Sequence, residues 1–421
     1  MINKKSIALG MIALATLGLA ACGGNTTSSA TEVVSTANLN IWCPTSDNAM
    51  MATIIKDFKA ANPKATGEIK VSANFGEGEV ATNLTKDVTA AADVMCIADD
   101  NIRASVKARA LTALTADDKA AITKTDGATA VGVGSISDTL YGYPYRADNS
   151  YVLMYNKTLF TADQVGSLDT LLAAAKDKKT SVYFDLANGW YGASYLWANG
   201  CTQTVDTDGK FQCTFDSDAG VAAATAMQTL YKTYGGSQLV FSSDTGLIDA
   251  GFKDKSVGAC ILWNHVADLQ TAIGADNLGV VKLPTMKIGG ADKQLGAFVG
   301  YKFMAIKKNP SDATLAKAFA AFASSKTYQK ARALDKTMGY GPSNLELSSD
   351  AEIQALPFLS ALSAQVKTGV VVAQGPSTVD NFWTPMASFN TIIKENAAAG
   401  TWGDYADAKA ALTAMVEQMK A

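Results

Sequence analysis

The 421-residue chain contains one histidine, His265. A single imidazole leaves histidine-based metal sites and Ser–His or Cys–His nucleophilic schemes nearly excluded. The sequence has no GxSxG, no HExxH and no GxxxxGK, so the usual hydrolase elbow, zincin helix and phosphate cradle are missing as well. None of its six cysteines falls in a CxxC or CxxxH pattern; no metal and no cofactor is expected. Basic residues are not in excess, with a net charge of −3, which argues against nucleic acid and anionic membrane surfaces as partners. Beyond the first 21 residues no apolar run reaches 18, so none is long enough to span a bilayer. There is no internal repeat of 20–50 residues.

What is present begins with Lys4 and Lys5, then a small and apolar run from Ser6 to Ala21. A charged start followed by an apolar stretch reads as a signal peptide, residues 1–21, outside the fold. The run ends Leu19-Ala20-Ala21-Cys22-Gly23, which resembles the lipobox of bacterial lipoproteins. That resemblance implies cleavage before Cys22, a diacylglycerol anchor on its thiol, and an exported protein held at the outer face of the cell membrane. Residues 22–36 are small and polar and read as a flexible tether. Without the signal segment, 34 basic and 39 acidic residues remain, a net of −5. The remaining length is too great for one core, and two domains are expected.

Apolar patterning alternates strands with helices. Leu39–Cys43, Ile69–Ala73 and Asp93–Cys96 read as strands, with helices over Ala49–Ala61 and Val80–Ala91 between them. This order predicts an α/β fold with a parallel sheet, whose binding crevice lies beyond the carboxyl ends of the strands. Those ends carry Asp47 and the Asp99-Asp100-Asn101 triplet. A helix start is expected at Ser311, and Asp99-Asp100 reads either as ligand contact or as a solvated helix start with Asp100 as N-cap. A second α/β region holds strands Tyr151–Asn156, Ser181–Phe184, Val257–Leu262 and Leu278–Leu283, and helices fill Asp218–Tyr234 and most of Asn381–Lys420. Cys201 and Cys213 flank two short strands around an Asp206-Thr207-Asp208-Gly209 turn, and a hairpin there predicts a disulfide between nearly opposite thiols. Cys43 and Cys96, at strand ends, are expected to be buried or paired.

Six segments, in order, resemble bacterial extracellular solute-binding proteins of the sugar-transport type, the group that includes maltodextrin-binding proteins. They are "NLNIW", "ADVMCIADDN", "GYPYRADNSYVLMYNKTLF", "AGFKDKSVGACILWNHV", "VVKLPT" and "NFWTPMASFNTIIKENAAAG". The resemblance implies a two-lobed periplasmic-binding-protein-like fold of type II, with a hinge and an interlobe ligand cleft. One lobe takes residues 37–147 and 302–345, the other 151–298 and 350–421. It implies a monomeric binder, not an enzyme, that hands a mono- or oligosaccharide to the permease of an ABC importer. A pyranose presents apolar C–H faces and a hydroxyl rim, so its site needs aromatic plates with carboxylates and amides between them. The expected plates are Trp190, Tyr191, Trp263 and Trp383, and the expected polar partners are Asp47, Asp100, Asn101, Asp148 and Asn149. Asn264 or His265 is an alternative to Trp263, and Arg146 an ion-pair partner for Asp148. The same fold with a polyamine, iron or peptide ligand is the nearer rival reading; a glycosidase using Asp99, Asp100 and Asp148 is the more distant one.

Overall fold

A computed structural model describes residues 32–206 and 209–421. The signal segment, the lipidation position Cys22 and most of the tether lie outside the described residues, as do Thr207 and Asp208 of the expected turn.

Two five-stranded sheets organise the rest. The first runs Ile69–Asn74, Leu39–Cys43, Val94–Ala98, Lys302–Ile306, Gly142–Arg146. Its first three strands are parallel, as the βαβαβ order predicts. Lys302–Ile306 is antiparallel to both its neighbours. Side-chain alternation gives the sheet two buried faces. Leu39, Ile41 and Cys43 join one core with Met304, Ile306 and the helix Ala313–Ala323. Trp42, Met95, Ile97 and Phe303 join another. The second sheet runs Leu239–Val240, Ser181–Phe184, Val257–Leu262, Val152–Asn156, Leu278–Val281, with Leu153 and Ile261 on one face and Val152 and Cys260 on the other.

Several local expectations are corrected. The end of the tether is packed: Val33 is buried against the first sheet's core, and Ser35 Oγ donates to Asp312 Oδ2 at 2.7 Å. The Ala313–Ala323 helix is capped by Asp312, whose carboxylate accepts from Thr314 and Leu315 N–H, while Ser311 instead bonds Asp93. The second helix stops at Lys86, since Asp87 turns extended and accepts from Thr89 and Ala90 N–H. The hairpin forms between Gln203–Val205 and Phe211–Cys213, but its register sets Cys213 opposite Gln203, two residues past Cys201, and both thiols are free. Cys43, Cys96 and Cys260 are buried free thiols.

The chain passes between the sheets near residues 147–151 and 300–301, and a return segment near 341 lies beside them. Asn149 N–H donates to the Gly300 carbonyl at 3.3 Å, and Ala147 N–H to the Gly341 carbonyl at 2.8 Å. Gly300 is needed for this closeness: a Cβ there would lie 2.9 Å from Asp99 Oδ2 and 3.1 Å from Asn149 Nδ2.

Candidate functional site

Both sheets send the carboxyl ends of parallel strands toward one cleft of about 480 Å³. From the first sheet, the turn after Cys43 brings Ser46, and the Gly76-Glu77-Gly78 loop after Asn74 brings Glu77. From the second, Phe184 leads to Trp190 and Leu262 leads to Trp263, Asn264 and His265.

The floor is a linked set of charges. Glu77 accepts from Arg146 Nη2 at 2.6 Å and from Lys302 Nζ at 3.1 Å. Arg146 Nε lies 3.4 Å from Asp148 Oδ1, and its guanidinium lies 3.7 Å over the Tyr340 ring. Burial alone would raise the Glu77 carboxyl, but Arg146 and Lys302 hold it down to about 2. Two cations face two carboxylates, so the floor is polar yet balanced. Arg146 Nη1 is buried with no hydrogen-bond partner.

Trp190 stands on the wall. Asn188 caps its short helix by accepting from Trp190 N–H at 3.0 Å. The indole meets Tyr151 edge-on, centroids 5.0 Å apart, and its Nε1 donates to Gln374 Oε1 at 2.8 Å. Trp263, 40 % exposed, lines the same cleft. His265 does too, but both its ring nitrogens are engaged, by Asp249 at 2.8 Å and Asp268 at 3.0 Å. Asn264 bridges outward to the carbonyls of Met338 and Gly339.

The residues singled out from the sequence therefore separate into three groups. Trp190, Trp263, Asp148 and Asn149 line the main cleft. Asp100, Asn101 and Trp383 line a neighbouring crevice of about 300 Å³. Asp47 and Tyr191 are fully buried behind the wall, a correction to their expected exposure. The turn Thr45–Asp47 aims the Asp47 carboxylate inward, where it accepts from Tyr145 at 2.9 Å and Tyr340 at 3.2 Å; it supports the ring beneath Arg146. Tyr191 packs on Tyr151 and Phe184. The Asp99–Lys107 helix is preceded by Ala98 at the N-cap, so Asp100 is not the cap. Asp99 is buried and accepts from Tyr301 N–H at 3.1 Å; burial and then the charge of Asp100 raise its carboxyl to about 8. Asp100 is also raised by burial, eased by Gln374 and Asn101.

Glu77, Lys302, Tyr340 and Gln374 were missed. Glu77 had a faint signal, a carboxylate between two glycines just past a strand. The others carry none, because their partners lie far away in sequence. Among the described residues no group of three or more His, Cys, Asp or Glu is placed to hold a metal ion.

A family model for bacterial extracellular solute-binding proteins matches residues 53–361. A solved chain in complex with acarbose is 28 % identical with a TM-score of 0.78, covering 92 % of this chain and 99 % of that one. The maltodextrin-binding protein MalE1 from L. casei BL23 is 21 % identical with a TM-score of 0.76, covering 93 % and 100 %. A Thermus thermophilus maltotriose-binding protein is 16 % identical with a TM-score of 0.72, covering 91 % and 99 %; the last two likenesses show the fold. A comparison with curated protein sequences finds no significant match.

Proposed function

This chain belongs to the bacterial extracellular solute-binding proteins, and on that footing we propose that its main cleft takes a maltodextrin-class sugar for delivery to the permease of an ABC importer. The observation that carries this reading is the pairing of two aromatic walls with a charge-balanced polar floor. Trp190 and Trp263 offer π faces to the apolar face of a pyranose. Arg146 Nη1, Asp148 and Asn149 meet its hydroxyl rim, where an unpaired group in a closed cleft costs about 1–3 kcal/mol. The solved relatives with acarbose and with maltotriose point the same way.

The rival ligands fit less well. A polyamine needs several uncompensated carboxylates, yet of the three that line the cleft Glu77 and Asp148 are already paired with Arg146 and Lys302, leaving Asp268 beside His265. Among the described residues no three His, Cys, Asp or Glu come together for a ferric ion, and the tyrosines close in sequence, Tyr143, Tyr145 and Tyr151, are buried away from the cleft lining. A neutral sugar loses nothing to a balanced floor.

In the proposed cycle each lobe contributes contacts that only the closed form makes together, so the sugar shifts the hinge toward closure. The lobes are those read from the sequence, 37–147 with 302–345 and 151–298 with 350–421. A diacylglycerol on Cys22 holds the monomer beside its permease. Isothermal titration with maltose, maltotriose, acarbose, spermidine and ferric ion tests the ligand: heat is expected with the sugars, and heat with the non-sugars alone overturns the reading. Labelling cells with radioactive palmitate tests the anchor; label is expected on the wild type and absent from Cys22→Ala.

A further inference from the structure

We propose that Gln374 is a positioning residue for the main cleft, fixing the Trp190 indole against the first lobe; this rests on the reading of Trp190 as a sugar-stacking plate. The Gln374 side chain is 4 % exposed. Its Oε1 accepts from both Trp190 Nε1, at 2.8 Å, and Asn149 Nδ2, at 3.0 Å. Two N–H donors on one oxygen settle which way the amide points, and its NH2 is left to face the Asp100 carboxylate. One side chain thus touches the wall of the main cleft, the crossover beside Gly300, and the acid of the adjacent crevice.

The backbone holds that amide in place. Gln374–Ser377 follows the strand Val371–Ala373, which pairs in parallel with Ala297–Val299 just before the crossover. The next residue, Gly375, sits so close to the Asp99–Lys107 helix that a Cβ would lie 3.0 Å from Asp99 Cβ. Asp99 also accepts a backbone hydrogen bond from Gly375. Thr378 Oγ1 closes the turn onto the Gln374 carbonyl at 2.7 Å. The segment is a strap pinned to the first lobe, and Trp190 on the second lobe hangs its polar edge from it. An indole with its N–H satisfied keeps one ring plane, while one that has lost the acceptor turns to find another. Gln374 therefore sets the angle at which the plate meets a sugar and ties that angle to lobe position.

The test uses the protein labelled with 15N at its tryptophan side chains, with Trp190→Phe assigning the Trp190 indole signal. Without ligand, Gln374→Ala is expected to move that signal and leave the other five tryptophans in place. Maltotriose affinity is expected to fall about tenfold. In a Trp190→Phe background, which keeps a plate but has no N–H, Gln374→Ala is expected to cost little more. Gln374→Glu keeps the acceptor but sets a carboxylate against Asp100; the other charged and titratable groups around it are Asp99, Lys302 and Tyr301. Its affinity is expected to be weak near about pH 8 and to recover toward about pH 5 as a carboxylate takes a proton. An unmoved indole signal in Gln374→Ala, an equal loss with and without the Trp190 N–H, or a pH-independent Gln374→Glu overturns the proposal. A wild type that binds no maltotriose overturns the sugar reading instead, and the ligand-free indole signal still decides this one.

Discussion

Trp190 and Glu77 show how differently two side chains serve one cleft. Trp190 lines it with aromatic surface, and on the proposed function the cost of its removal is lost stacking. Trp190→Ala is expected to weaken maltotriose binding by about 2 kcal/mol, read by titration calorimetry; unchanged affinity removes the stacking plate from the site. Glu77 offers charge, and its removal strands Lys302 and leaves Arg146 with Asp148 alone in a buried floor. Glu77→Gln is expected to cost about 3 kcal/mol or more of stability in urea unfolding. The pH sign follows from its depressed carboxyl. The stabilisation is present above the ordinary glutamate range of about 4 and is lost as pH falls toward about 2. The wild type is therefore expected to lose stability over that interval more steeply than Glu77→Gln.

At the scale of elements, most strands were legible because alternation and β-branched runs mark them directly. Ser181–Phe184, Val257–Leu262 and Leu39–Cys43 fall where the pattern places them. Trp190 was legible through the resemblance to the sugar-transport family; locally, Asn188 caps the short helix that carries it. Gly189 adds a packing reason, since a Cβ there would lie 2.3 Å from the Trp383 carbonyl oxygen. What the sequence hid was pairing between distant segments. Glu77 finds Lys302, and Trp190 finds Gln374, and no local period announces either. Charged residues read singly look like solvated surface. The crossover is the element most open to test. Gly300→Ala inserts a methyl between Asp99 and Asn149 and is expected to spread the strands, favour the open form and weaken sugar binding. Small-angle scattering with titration checks it; an unchanged radius of gyration together with unchanged affinity rejects a tightly packed crossover.

For the whole molecule, the burial of Asp99 at the start of the Asp99–Lys107 helix makes stability fall as pH rises from the ordinary aspartate range toward about 8. The Asp99 carboxyl is raised by burial and by Asp100, so the folded state holds its proton more tightly than the unfolded chain, whose aspartate sits near about 4. That contribution is complete below about pH 4 and fades as pH rises through about 8. Asp99→Asn is expected to flatten the decline in melting temperature across this window; an equally steep decline in the variant assigns it elsewhere. The order of strands in the first sheet carries a consequence for biosynthesis. Lys302–Ile306 fills the gap between Val94–Ala98 and Gly142–Arg146, so a nascent chain has nothing to bridge those two strands until residue 306 of 421 has been made. The first half is therefore expected to emerge lacking its own centrepiece and to stay loose until that strand arrives.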